Sequence, residues 1–183
     1  MLYAVAPILS NRIVSIFGFK LIVGAITIDL AYGLVDVLNN CLGKPTARRA
    51  IIIAMFSRFV LWSIIGLSFL LPTFKEPQGY TKILSQGFRI FLAGELSLFL
   101  SQYLVDINLF HYFKKFNLKF WARYNLSNIF GQFVSTTVFV SLAYLGTGIA
   151  VMPLIVGSYV FKYCFTVLLT PVFSLVNSKY AGA

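Results

Sequence analysis

The chain has 183 residues, of which 59% are hydrophobic and only 11% charged, less than half the ~25% typical of a soluble domain. Lys and Arg number 15 against 5 Asp and Glu, a net charge of +10. Apolar stretches of the ~20 residues a spanning helix needs occupy most of the length, which excludes an additional water-soluble catalytic or nucleotide-binding domain.

Six such stretches, residues 1–19, 21–42, 50–71, 88–110, 121–145 and 149–176, predict an all-α integral membrane protein. The expected architecture is six transmembrane helices in one compact bundle, a single domain over residues 1–183. The first stretch does not read as a signal peptide: no basic region precedes it, and Asn11 and Arg12 interrupt its apolar core. Gly43-Lys44-Pro45-Thr46 closes the second helix and suits the start of the third. Pro72, Pro77 and Gly79 mark the longest loop, expected over residues 72–86, and Gly146-Thr147-Gly148 a tight turn before the last helix. Pro153 and Pro171 lie near that helix's ends, where lost backbone bonds cost least. Trp121, Tyr124, Tyr103 and Tyr112 are expected in the interfacial aromatic belt. Cys41 and Cys164, far apart and without metal-ligand spacing, read as free, buried thiols.

The basic residues are unevenly spread. Lys44, Arg48 and Arg49 follow the second stretch, Lys114, Lys115, Lys119 and Arg123 separate the fourth from the fifth, and Lys179 lies in the tail. Because Lys and Arg favour the cytoplasmic side, both termini are expected there, with the 72–86 loop outside. The charge thus sets topology and implies no nucleic-acid partner.

Four of the five acidic residues, Asp29, Asp36, Glu95 and Asp106, fall inside apolar stretches. A carboxylate at a helix centre in a bilayer costs ~2.5–3.5 kcal/mol or more, so it is rare unless it faces a partner or a wet cavity. At 3.6 residues per turn, Asp29, Asp36 and Asn40 share one helix face, and Glu95, Gln102 and Asp106 share another at the same spacing. Gly33 removes bulk between the first two carboxylates, for a ligand or a neighbouring helix. Further along, Asn125, Asn128, Gln132 and Ser135 lie to a common side, as do Ser158, Lys162 and Thr166, and Arg58 interrupts the third helix. Acceptors, amides and two deep cations form a hydrogen-bonding pocket better than an ion path. No cofactor or metal is expected, since the only histidine, His111, adjoins the basic segment and reads as interfacial. The bland alternative pairs the same groups as interhelical glue, Asp36 with Lys162 or Glu95 with Arg58. Aromatic residues suited to stack on a planar heteroaromatic ligand include Tyr32, Phe91, Phe99, Phe110, Phe130, Phe139 and Phe161.

The run from Tyr32 through Asp36, Asn40, Gly43 and Ala47-Arg48-Arg49 resembles the signature of the vitamin-uptake-transporter-like family, the queuosine precursor transporters. The likeness continues in Asn11, Arg89, Ser101-Gln102, Asp106 with Phe110, Ser127, Gly131-Gln132 and Tyr159-Val160-Phe161-Lys162. It implies a multi-pass protein of the cell inner membrane that takes up deazaguanine-type nucleobases for tRNA modification. Carried over position by position, it marks Asn11, Asp36, Arg89, Gln102, Asp106, Gln132 and Lys162 as the functional set. The chain departs from the family pattern at Asn40 and Ser135, where acids are usual, and at Asp29 and Glu95. Glu95 joins the candidate substrate-binding residues as a protonation switch, because removal from water disfavours a charged carboxylate.

Three rivals stand beside uptake of a nucleobase-like small molecule. One is a substrate-binding subunit for a separate ATPase module, since Gly43-Lys44 lacks the glycine and Ser/Thr of a phosphate-binding loop. A non-transporting structural subunit predicts no small-molecule binding. An enzyme has least support: no histidine lies at depth, and no serine or cysteine lies beside a base, so no catalytic residue is assigned.

Overall fold

The computed structural model describes residues 2–16, 18–68, 70–71 and 80–180. Its order is α1 (Leu2–Leu9), β1 (Ile13–Ile16), β2 (Phe19–Ile22), α2 (Gly24–Cys41), α3 (Lys44–Ser68) and α4 (Tyr80–Leu98). A π-helical segment (Phe99–Asp106) then leads into α5 (Ile107–Phe113), and a 3-10 turn (Lys114–Phe116) precedes α6 (Phe120–Tyr144) and α7 (Val151–Tyr180).

The first apolar stretch corrects the expectation of one long helix. Asn11 turns back on α1, its amide donating to the Pro7 carbonyl at 3.1 Å, and the helix stops. The β-branched run Ile13-Val14 then pairs antiparallel with β2, Ile13 opposite Ile22 and Ile16 opposite Phe19. Gly18, just before β2, has φ +82°, where a side chain would strain it. Open strand edges are tolerated at membrane depth only where protein covers them. Here α7 covers β2. A Cβ built on Gly157 would lie 2.4 Å from the Lys20 carbonyl oxygen, so α7 rests directly on β2.

Four helical stretches are long and apolar enough to cross a membrane: Lys44–Ser68, Ser85–Phe116, Phe120–Tyr144 and Val151–Tyr180. The 18-residue α2 is weakened as an apolar span by Asp29 and Asp36. The helix of α4 begins at Tyr80, inside the stretch expected as loop. Pro72, Pro77 and Gly79, with Lys75 and Glu76, lie outside the described residues.

The core is built inside out for a membrane. Along α6 the buried positions come in adjacent pairs every four residues, Arg123-Tyr124, Ser127-Asn128, Gly131-Gln132 and Ser135-Thr136, while Leu126, Phe130 and Phe133 face outward. Small residues at Ser127, Gly131 and Ser135 allow neighbours close, as membrane helix interfaces require. Phe173 of α7 fills the notch at Gly33, where an added Cβ would meet its ring at 2.1 Å, so that glycine serves a helix contact. Two expectations are corrected by packing. Cys164 is exposed on α7, whereas Cys41 is partly buried beside Asn177. Tyr124 is not in an interfacial belt: it is buried between Phe120 and Phe173, while Trp121 and Tyr112 are exposed.

Candidate functional site

Two antiparallel rows of side chains, from α2 and α6, form a polar seam through the middle of the bundle. Gln132 donates to Asp29 at 2.8 Å, and four residues earlier Asn128 donates to Asp36 at 2.8 Å. At the end of the seam Arg123 donates to Asn40 at 2.8 Å, and Asn40 donates to Asn177 of α7 at 2.7 Å. The spacing of seven and four on α2 thus meets a reversed four and five on α6, which is why one face of each helix suffices.

The π-helical segment closes the seam from a third side. Its wider turns end at Asp106, and such segments recur at functional sites. Asp106 has no exposed surface and abuts α6 where Gly131 leaves room; an added Cβ there would lie 3.0 Å from Asp106 Cβ. Its carboxyl interacts directly with the carboxyl of Asp36. Ser127 faces the pair while its hydroxyl donates to the Tyr124 carbonyl at 3.3 Å. Gln102, one turn earlier, accepts a hydrogen bond from the Tyr3 hydroxyl of α1, and its amide nitrogen has no partner.

The two deep cations sit apart. Lys162 of α7 is buried and its charge acts on Asp29, which corrects the pairing of Lys162 with Asp36. The reason is register: Lys162 lies beside the Asp29–Gln132 end of the seam. Arg58 of α3 pairs with Glu95, Nε to Oε1 at 2.5 Å, beneath the Phe91 ring. Glu95 is therefore one half of an ion pair rather than a free switch.

Of the residues expected to form the site, Asp36, Asp106, Gln132 and Lys162 line or touch the seam, and Gln102 flanks it. Asn11 and Arg89 stand outside it. Asn11 caps α1, and Arg89 donates to the Leu142 and Leu145 carbonyls at 2.9 and 2.5 Å, closing the C-terminal end of α6. The seam also uses residues that the site reading left out: Asp29, Asn128, Tyr3 and Arg123. Asp29 carried a signal, being an acid at membrane depth on the same helix face as Asp36. Tyr3 carried none, because its partner lies 99 positions away. Among the proposed stacking residues, Tyr32, Phe91, Phe110 and Phe139 are buried, whereas Phe99 and Phe130 face outward.

Two small voids flank the seam, each about 10 Å³, room for about one water. Ser10, Thr136, Ser158 and Lys162 line the first, and Tyr3, Tyr32, Arg58 and Ser135 the second; Ile28 and Phe139 line both and stand between them. The side-chain oxygens of Thr136 and Ser158 have no hydrogen-bond partner. Both voids have mostly apolar walls into which a few polar side chains point, and neither holds more than about one water. A larger groove of about 560 Å³ opens outside, between α2 and α7, but Leu34, Val37, Leu38 and Val176 make it a surface for hydrocarbon. Among the described residues no group of His, Cys, Asp or Glu is placed to hold a metal ion.

Four basic residues gather around His111. Lys44, Lys114, Lys115 and Arg123 all act on the exposed His111, from α3, the 3-10 turn and α6. Residues 22–176 match the model of a family described as Putative vitamin uptake transporter. No curated protein and no solved structure matches the chain.

Proposed function

Because the chain belongs to the Putative vitamin uptake transporter family, and so is a multi-pass membrane protein of a small-molecule transporter family, we propose that it imports deazaguanine-type queuosine precursors across the cell inner membrane. One observation carries this reading. The seam presents carboxylate and amide acceptors, with Asp36, Asp106, Gln102 and Gln132 drawn together from three segments that are far apart in sequence. A deazaguanine offers a ring N–H and an exocyclic amine, the donors such acceptors require. Lys162, at one end, supplies a cation for a carbonyl oxygen. Tyr32 and Phe139 flank the adjoining void and offer faces to a planar ring.

The closed interior has no room for a base, so passage requires the voids beside the seam to open by turns to each face. Ile28 and Phe139, which separate the two voids, are the side chains whose movement would join them. The topology that accompanies this reading puts the cluster around Lys44, Lys114 and Lys115 in the cytoplasm, with both chain termini on that side.

The deciding experiment is uptake of a labelled precursor by cells that cannot synthesise it, with and without this protein. Binding to the purified protein then sets the ligand class. Sites built on hydrogen bonds reject analogues lacking the matching donor by up to ~10⁴–10⁵, so a base without the exocyclic amine is expected to compete poorly. Equal affinity for the aminated and deaminated bases defeats the assignment.

A further inference from the structure

The buried charges of the interior do not balance. Its carboxyl groups are Asp29, Asp36, Asp106 and the partly buried Glu95; its deeply buried cations, among the described residues, are Arg58, Lys162 and Arg123. Arg58 is taken by Glu95, and Lys162 faces Asp29. Only Arg123 is left to Asp36 and Asp106 together. It acts on Asp36 through space, but its hydrogen bond goes to Asn40 and its guanidinium lies over the Phe110 ring, 4.9 Å from the centroid.

No amide or guanidinium group hydrogen-bonds to either oxygen of Asp106 or to Oδ1 of Asp36, and the Ser127 hydroxyl, which faces Asp106, donates to the Tyr124 carbonyl. What Asp36 and Asp106 have is each other. The other titratable groups around them supply no positive charge: Tyr3 from α1, Tyr32 and Asp29 from α2, and Tyr124 from α6. Two adjacent carboxyl groups in an apolar interior with one cation to share cannot both ionise; a proton held between them restores both the charge balance and the missing hydrogen bond.

We propose that Asp36 and Asp106 form a proton-binding site that holds one proton whenever the interior is closed. The proton is taken from water when the pair is shut in and returned to water when it is exposed, leaving two carboxylates. This rests on the transporter reading above and gives its opening and closing a proton to bind and release. It also moves the protonation switch from the ion-paired Glu95 to a pair on α2 and the π segment. Acidic residues inside transporters commonly serve as such relays.

Infrared spectroscopy of the purified full-length protein tests the site without any ligand. A protonated-carboxyl C=O absorption is expected near neutral pH, and both Asp36→Asn and Asp106→Asn are expected to remove it, since either leaves one carboxylate against Arg123. The double variant D36N/D106N keeps an amide pair able to hydrogen-bond, and so separates loss of the proton from loss of the fold. An absorption absent from the native protein, or unchanged in both single variants, overturns the proposal. If the purified protein binds no labelled deazaguanine base, the assigned function fails, while the infrared result still decides whether the pair holds a proton.

Discussion

Helices α3 and α6 are each 25 residues long and mostly apolar, yet they solve opposite problems. In its most apolar window α3 is 17% buried, and Ile53, Phe56, Phe59, Ile64 and Leu67 face outward; only Ala47, Ile51, Arg58 and Trp62 are buried. In α6 the corresponding window is 50% buried, and the buried stripe is mostly polar or small. The bilayer is as apolar as leucine, so burying an apolar face gains little and polar and close contacts hold helices together. The comparison teaches that in this protein the polar residues mark the inside and the large apolar residues the outside.

The sharpest way to break that comparison is at the seam. Asp36→Ala and Asp106→Ala are expected to abolish uptake while leaving membrane levels of the protein near normal. If folded protein falls in step with uptake, the seam is glue and not a site. Next in size is the one ion pair that α3 does bury. Arg58→Leu strands Glu95 and is expected to cost ~3–5 kcal/mol in stability, read by thermal unfolding in detergent, whereas R58L/E95L together recovers most of it. Gly131→Ala sits lower: the added methyl meets Asp106 Cβ at 3.0 Å, and overpacking of this kind costs ~1–3 kcal/mol. The smallest effect belongs to the outer face of α3, where Ile53→Ala is expected to change stability by less than ~0.5 kcal/mol. A large loss there would mean that another subunit covers α3. Topology is checked separately, by cysteine-accessibility labelling around Lys114 and Lys115: labelling from outside the cell reverses the proposed orientation.

Much of this was legible in the sequence because membrane burial of charge is so costly. Asp36 and Asp106 announced themselves by lying in apolar stretches, and helical periodicity put Asp29, Asp36 and Asn40 on the one face they share. What periodicity could not give was the choice of partner. Both Asp29 and Asp36 were available to Lys162, and the helix register decided for Asp29. Arg89 and Asn11 resembled site residues by family likeness, yet their side chains close helix ends. The hairpin was hidden for a different reason: hydropathy alone does not separate a short strand pair from a helix when both are apolar, and the cue lay in Asn11 and Gly18.

That hairpin has a consequence for how the protein is made. Its strands leave the ribosome well before Gly157 and the rest of α7, which rests on β2. Until α7 arrives, the outer edge of a two-stranded ribbon would face hydrocarbon with its peptide groups unmet, so the N-terminal segment has reason to wait at the membrane surface. Its seating is then a late step of biogenesis, and a chain truncated before α7 would leave its N-terminus accessible to protease.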